Sequence, residues 1–179
     1  AQVDASGKLY VFFTESDAHT SLTTSVNQGS TWDVKRALAT VDNIGLGYLV
    51  APDGTIYRLA SPNFVVTEIQ SMTDPAANWE SSNWTTVTTI SSAISAEFDT
   101  YTLRLRNGGF TILGLGYQCS ASGGGTIRPI KRADYLNSAW TSVTTVQALN
   151  QNGTTIPNFS GAETSGGTAY TMMQRGVPC

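Results

Sequence analysis

Two stretches of this chain are near copies of each other. Ser82 to Ile90 reads S-N-W-T-T-V-T-T-I and Ser138 to Val146 reads S-A-W-T-S-V-T-T-V, with six of nine positions identical at an offset of 56 residues. A repeat of that period makes each copy one supersecondary unit that cannot bury its own apolar surface and must stack on its neighbours. A second marker follows the same rhythm. Asp53-Gly54 lies between Y-L-V-A-P and T-I-Y-R-L-A, and Asn107-Gly108 between Y-T-L-R-L-R and G-F-T-I-L-G-L-G. Asp-Gly and Asn-Gly between alternating apolar residues predict two-residue hairpin turns with both turn residues at positive φ. Weaker versions stand at Ser6-Gly7 and Gly166-Gly167, so the turn glycines Gly7, Gly54, Gly108 and Gly167 are spaced by 47, 54 and 59 residues. After the first three, a further strand leads to Trp32, Trp84 and Trp140.

The unit therefore reads strand, glycine turn, strand, loop, strand, a turn ending in Trp, strand. In the third unit the strands are predicted at Tyr101–Arg106, Phe110–Tyr117, Thr126–Lys131 and Trp140–Val146. Four antiparallel strands per roughly 50 residues is the pattern of a propeller blade. Composition agrees: charged residues are only 13% of the chain, against roughly 25% in soluble domains. The polar share comes from Ser and Thr, with 17 Gly, which suits half-buried strands and tight turns. The expectation is one all-β repeat domain over residues 1–179, with units at about 1–42, 43–95, 96–150 and a partial 151–179. That is about three blade lengths, whereas a closed propeller takes four to eight blades. A fragment of a longer propeller, a ring completed by partner chains and a β-sandwich all stay open.

One segment ties the repeat to a known family. Ser25-Val26-Asn27-Gln28-Gly29-Ser30-Thr31-Trp32 resembles the Asp-box of sialidase-like (BNR-repeat) β-propellers, Ser-x-Asp-x-Gly-x-Thr-Trp, with Asn27 at the Asp position. The resemblance implies a turn between the third and fourth strands of a blade. Around Trp84 and Trp140 little beyond Ser and Trp is kept. Read from its residues, the box is scaffolding: Asn27 accepts from backbone donors in an Asx-turn, Gly29 supplies a strained conformation, and Trp32 buries its ring between adjacent sheets.

A sialidase-like activity would need three arginines gripping a carboxylate, a tyrosine nucleophile activated by a glutamate, and an acid/base aspartate. The Arg-Ile-Pro-type motif that usually carries the first arginine is absent. Arg58, Arg104, Arg106, Arg128, Arg132 and Arg175 are expected to face outward on alternating strands. Arg104 and Arg106 share one strand face around Leu105 and are the best candidates for an anion-facing patch. Glu97, Asp99 and Asp42 are the carboxylates nearest a blade's first strands, and loop solvation explains them. No catalytic residues are assigned. A single histidine, His19, excludes a Ser-His-Asp set, and no metal site or cofactor is expected.

Ring-on-sugar stacking makes Trp79, which the repeat does not explain, and Tyr135, expected in the matching loop of the next unit, candidate ligand contacts. Cys119 and Cys179 follow their turn glycines by 11 and 12 residues, so a bridge between neighbouring units is conceivable. Sequons at Asn83, Asn152 and Asn158 occur at about the frequency that this composition gives by chance.

The net charge of −3 and the pI of about 5.0 argue against nucleic acid as a partner. The basic run Arg128 to Arg132 reads as a solvated strand edge. No apolar run approaches a membrane span. A chain that begins with Ala1 is expected to be processed or a fragment. The function expected is therefore a non-catalytic binding or structural domain at an extracellular or virion surface, with glycans or a cell-surface ligand, or other chains completing a ring, as partners. The alternative is a fragment of a sialidase-like glycoside hydrolase.

Overall fold

A computed structural model describes residues 1–14, 20–34, 36–37, 48–60, 67–73, 84–96, 98, 100–119, 125–147, 152–153, 158–163 and 169–174. The chain divides into two compact units, Ala1–Ile90 and Ser91–Cys179. It is all-β, and every strand pairing is antiparallel. The one described helix, α1, is the single turn Ser92–Ser95.

In the first unit, β1 (Gln2–Val3), β2 (Leu9–Thr14), β3 (Thr20–Ser25) and β4 (Arg36–Ala37) form a sheet in chain order. A second sheet repeats the arrangement with β5 (Tyr48–Val50), β6 (Ile56–Ala60), β7 (Glu68–Met72) and β8 (Thr85–Thr89). The second unit holds β9 (Thr100–Arg106), β10 (Gly109–Cys119), β11 (Gly125–Leu136) and β12 (Ala139–Trp140) in the same order. There β13 (Thr144–Gln147) and β14 (Asn152–Gly153) also pair with β11, carrying this sheet past residue 150. A last hairpin joins β15 (Asn158–Glu163) to β16 (Ala169–Gln174) and lies against β9 and β10.

The glycine turns are where the repeat is most regular. Gly7, Gly54 and Gly108 all sit near φ +84, open to glycine and costing other residues roughly 1–2 kcal/mol. Gly7 N–H donates to Asp4 C=O at 3.1 Å, and Gly54 N–H to Ala51 C=O at 2.9 Å. The two turns are thus one structure repeated 47 residues apart. Asp53 and Asn107, however, do not join their glycines at positive φ, which corrects the expectation for these two turns. The Asp53 carboxylate explains its own case, accepting from Thr55 N–H at 2.9 Å in an Asx-turn. The turn with two residues at positive φ is instead Asn137 (+52°) with Ser138 (+63°), joining β11 to β12.

Within the first unit the two sheets pack face to face. Strand alternation puts Tyr10, Phe12 and Leu22 on one face of the first sheet, and these meet Tyr48, Val50, Ile56, Met72 and Trp84 of the second. Ile56 is fully enclosed, and Tyr10 and Met72 are 2% exposed. Phe12 stacks on Tyr48 with ring centroids 4.6 Å apart and planes 5° from parallel. Polar links hold the same seam. The Gln2 side chain accepts from Val50 N–H at 2.7 Å and donates to the Tyr48 carbonyl, so it pairs with the free edge of β5 much as a strand would. Ala5 N–H donates to Pro52 C=O at 2.8 Å, tying one glycine turn to the next.

Tyr10 crosses this seam with its ring buried and its hydroxyl donating to Asp4 Oδ2 at 3.0 Å. A Cβ on Gly54 would stand 3.1 Å from that hydroxyl, so the second turn closes over it. Burial first, and then the Asp4 carboxylate, push the Tyr10 pKa up to about 12. An unfolded tyrosine titrates near 10. Below about pH 10 both states keep the proton and this contribution is whole; between about 10 and 12 only the unfolded chain loses it, and stability falls. Urea midpoints at about pH 9 and about pH 11 are expected to fall less in Tyr10→Phe than in the wild type. An equal fall in both would contradict the assignment.

Candidate functional site

The turn between β3 and β4 is built by two side chains. Ser25 Oγ accepts from Gly29 N–H at 2.9 Å and donates to Asn27 Oδ1 at 2.9 Å. Asn27 Oδ1 also accepts from Thr31 N–H at 2.9 Å, and its amide donates to Thr31 Oγ1 at 2.7 Å. Gln28 and Gly29 take positive φ, +57° and +87°, so the backbone reverses in the left-handed region that a glycine makes accessible. The residue after Trp32 then returns to the sheet: Asp33 N–H donates to Thr24 C=O at 2.8 Å. Asp33 holds that junction by accepting from Thr23 Oγ1 through its carbonyl at 2.9 Å and from the Thr24 hydroxyl through its carboxylate. The polar side chains of the turn bond to one another and to its backbone, which is what a scaffold does.

The repeat tryptophans occupy three different settings. Trp84 packs in the seam of the first two sheets, its ring covered by the Arg58 guanidinium at 4.1 Å. Trp140 lies directly across from Tyr135, with ring centroids 5.2 Å apart. Trp32 is 46% exposed, its ring laid over Gly29, whose Cβ position is 3.4 Å from it. The expectation that Trp32 is buried between sheets fails because it lies on the Leu9 side of the first sheet, away from the second. Where Trp140 returns to its third strand the bond repeats that of Asp33: Thr141 N–H donates to Asp134 C=O at 2.8 Å.

Of the candidate ligand contacts, Arg104, Arg106 and Tyr135 are described, and Trp79 lies outside the described residues. Arg104 and Arg106 do share a face of β9, opposite Thr111 and Gly109. Arg106 is engaged, however: its guanidinium donates to Asp134 Oδ1 at 3.4 Å. Arg132 Nε donates to both Asp134 oxygens at 3.0 Å, and Thr111 donates its hydroxyl to the same carboxylate. Tyr135 ends strand β11 rather than occupying a loop, packed between Phe110 and Trp140. Because β11 lies between β10 and β12, the basic run it carries is no sheet edge.

Arg58 also departs from the outward-facing expectation. It is 5% exposed, with Nε donating to Gln70 Oε1 at 2.9 Å and Trp84 over its face. Burial draws its pKa below the ordinary arginine value, opposed by the neighbouring Tyr48. Burial likewise raises the Tyr48 pKa. Neither Arg58 nor Asp134 was marked as a partner residue by the sequence. The signal that could have found them was parity: an arginine between Tyr57 and Leu59, and an aspartate two residues from Arg132 on the same strand face. Among the described residues, no group of three His, Cys, Asp or Glu is placed to hold a metal ion. Glu97, Asp99, Asp42, Arg175, Asn83, Cys179 and the Gly167 turn lie outside the described residues, as does the Cys119 side chain, so the Cys119–Cys179 pairing does too.

Compared with known proteins, the chain matches no family model, and no curated protein sequence matches it.

Asn27 is the test of the turn. Asn27→Ala removes an acceptor from a backbone N–H and a donor to Thr31 and is expected to cost about 1–2 kcal/mol. Asn27→Asp keeps the acceptor, while the Thr31 hydroxyl can turn to donate, so its cost is expected within about 0.5 kcal/mol. Urea unfolding of both variants checks this; equal losses would contradict the acceptor role.

Proposed function

We propose that the chain is a non-catalytic binding or structural domain of the β-propeller type at an extracellular or virion surface, with carbohydrate or a cell-surface ligand as its partner. The observation that supports it most is the Ser25–Trp32 turn, self-bonded and joining the third and fourth strands of a four-stranded sheet that packs on a second sheet of the same order. A turn of this kind holds strands and leaves binding to loops and exposed rings.

The chemistry at the arginines points the same way. A site that grips a substrate carboxylate needs guanidinium groups aimed at the ligand. Arg106 and Arg132 instead converge on Asp134, and Arg58 is spent inside the first unit on Gln70 and Trp84. Low charge and Thr-rich strands suit an exposed surface module.

A glycan array run beside a fluorogenic sialoside assay separates the readings. The expected result is retention of a glycan without turnover, weakened at least about fivefold by Tyr135→Ala if the Tyr135–Trp140 pair contacts the sugar. Turnover that is lost in Arg104→Ala or Arg106→Ala would overturn the non-catalytic reading in favour of a sialidase-like hydrolase.

A further inference from the structure

The first two sheets stack in one direction, and the first sheet carries the next step of that stack without a neighbour. At the constant offset of 47 residues, Gly7 matches Gly54, Val3 matches Val50 and Leu9 matches Ile56. The cross-strand pairs match too: Val3 pairs with Leu9 as Val50 pairs with Ile56. Val50, Ile56 and Trp84 form the face of the second sheet that packs on Tyr10, Phe12 and Leu22 of the first. The same positions of the first sheet look the other way, and there Val3 is 56% and Trp32 46% exposed, against 7% for Val50 and none for Ile56. Leu9 and Val11, on that same side by alternation, are half-buried. An exposed apolar strip on a sheet, made of the residue positions that are buried one repeat later, is an interface lacking its other half.

We propose that a second copy of this chain covers this face. The proposal rests on the propeller-type reading above. The two faces of each sheet differ, so association is head-to-tail rather than self-complementary. The covering surface comes from the far end of the series, where the two-stranded β15–β16 sheet follows the β9–β12 sheet. The count favours a second copy: one chain has three sheets of four or more strands and one of two. Two copies supply six of the former and two of the latter, within the four to eight blades that close a ring.

Light scattering with gel filtration over about 1 to 100 micromolar chain tests this. The expected result is a dimer whose dissociation constant rises at least about tenfold in Val3→Glu and in Val11→Glu, and stays unchanged in Val87→Glu on the second sheet. Acrylamide quenching of the Trp32 signal, taken as the difference from Trp32→Phe, is expected to fall on association; this readout needs only the wild-type surface and covers the case of a glutamate variant that does not fold. A chain monomeric at about 100 micromolar, or an assembly indifferent to both glutamates with Trp32 still quenched, would overturn the proposal. Glycan retention by a monomeric chain would overturn the pairing while leaving the binding reading intact, and a Val3-dependent dimer that retains no glycan would do the reverse.

Discussion

The burial of one sheet face against the next is the interaction on which the rest of the first unit depends. Four short strands cannot enclose a core alone: every residue on one side has an apolar neighbour only if another sheet supplies it. Tyr10, Leu22, Val50, Ile56 and Met72 are enclosed because two such sheets meet. The seam also resolves an awkward edge. Strand β5 has three residues, and its outer backbone groups would otherwise face solvent or another chain. Gln2 meets them with both ends of its side-chain amide, so sheet stacking and edge protection come from the same strand.

The polar groups placed in and around the sheets are satisfied in pairs and networks, and this accounts for the character of the candidate site. Arg58 is buried with a ring on one side and Gln70 on the other. Asp134 gathers two guanidinium groups and a hydroxyl on one sheet face. Removing such a carboxylate would leave cations facing each other in a poorly solvated site, which is why charge networks of this kind are usually structural. The box turn follows the same rule, with Ser25 and Asn27 closing their bonds on the turn backbone. What stays exposed is aromatic or apolar: Trp32, Val3 and the neighbouring Val26 and Val34.

Strand order and turn positions were legible in the sequence because hairpins are local. Glycines at Gly7, Gly54 and Gly108 mark their turns, and β9 and β10 fall within two residues of the predicted Tyr101–Arg106 and Phe110–Tyr117. The fourth strand of that sheet was harder. Trp140–Val146 reads as one strand, yet it breaks into β12 and β13 around Thr141–Val143, since the chain turns at Asn137-Ser138 with no box to guide it. What each tryptophan touches was not legible, because it depends on which sheet lies over it. Trp84 and Trp32 end the same kind of turn, but only Trp84 has a sheet to bury it. The inward turn of Arg58 was likewise hidden: its alternation matches a face that a lone sheet would show to solvent. The box itself could be read almost entirely, since its bonds close within eight residues.

The account's central claim is that the first two sheets are stacked through β1 and β5, and amide hydrogen exchange at Val50 tests it most directly. That N–H lies on the open edge of β5, where without Gln2 it would exchange nearly as a free edge does. Stacked sheets predict protection of the order of a hundredfold or more in the wild type, reduced about tenfold or more in Gln2→Ala. A Val50 amide that exchanges at the unprotected rate in the wild type, or that is equally protected in both, would contradict it.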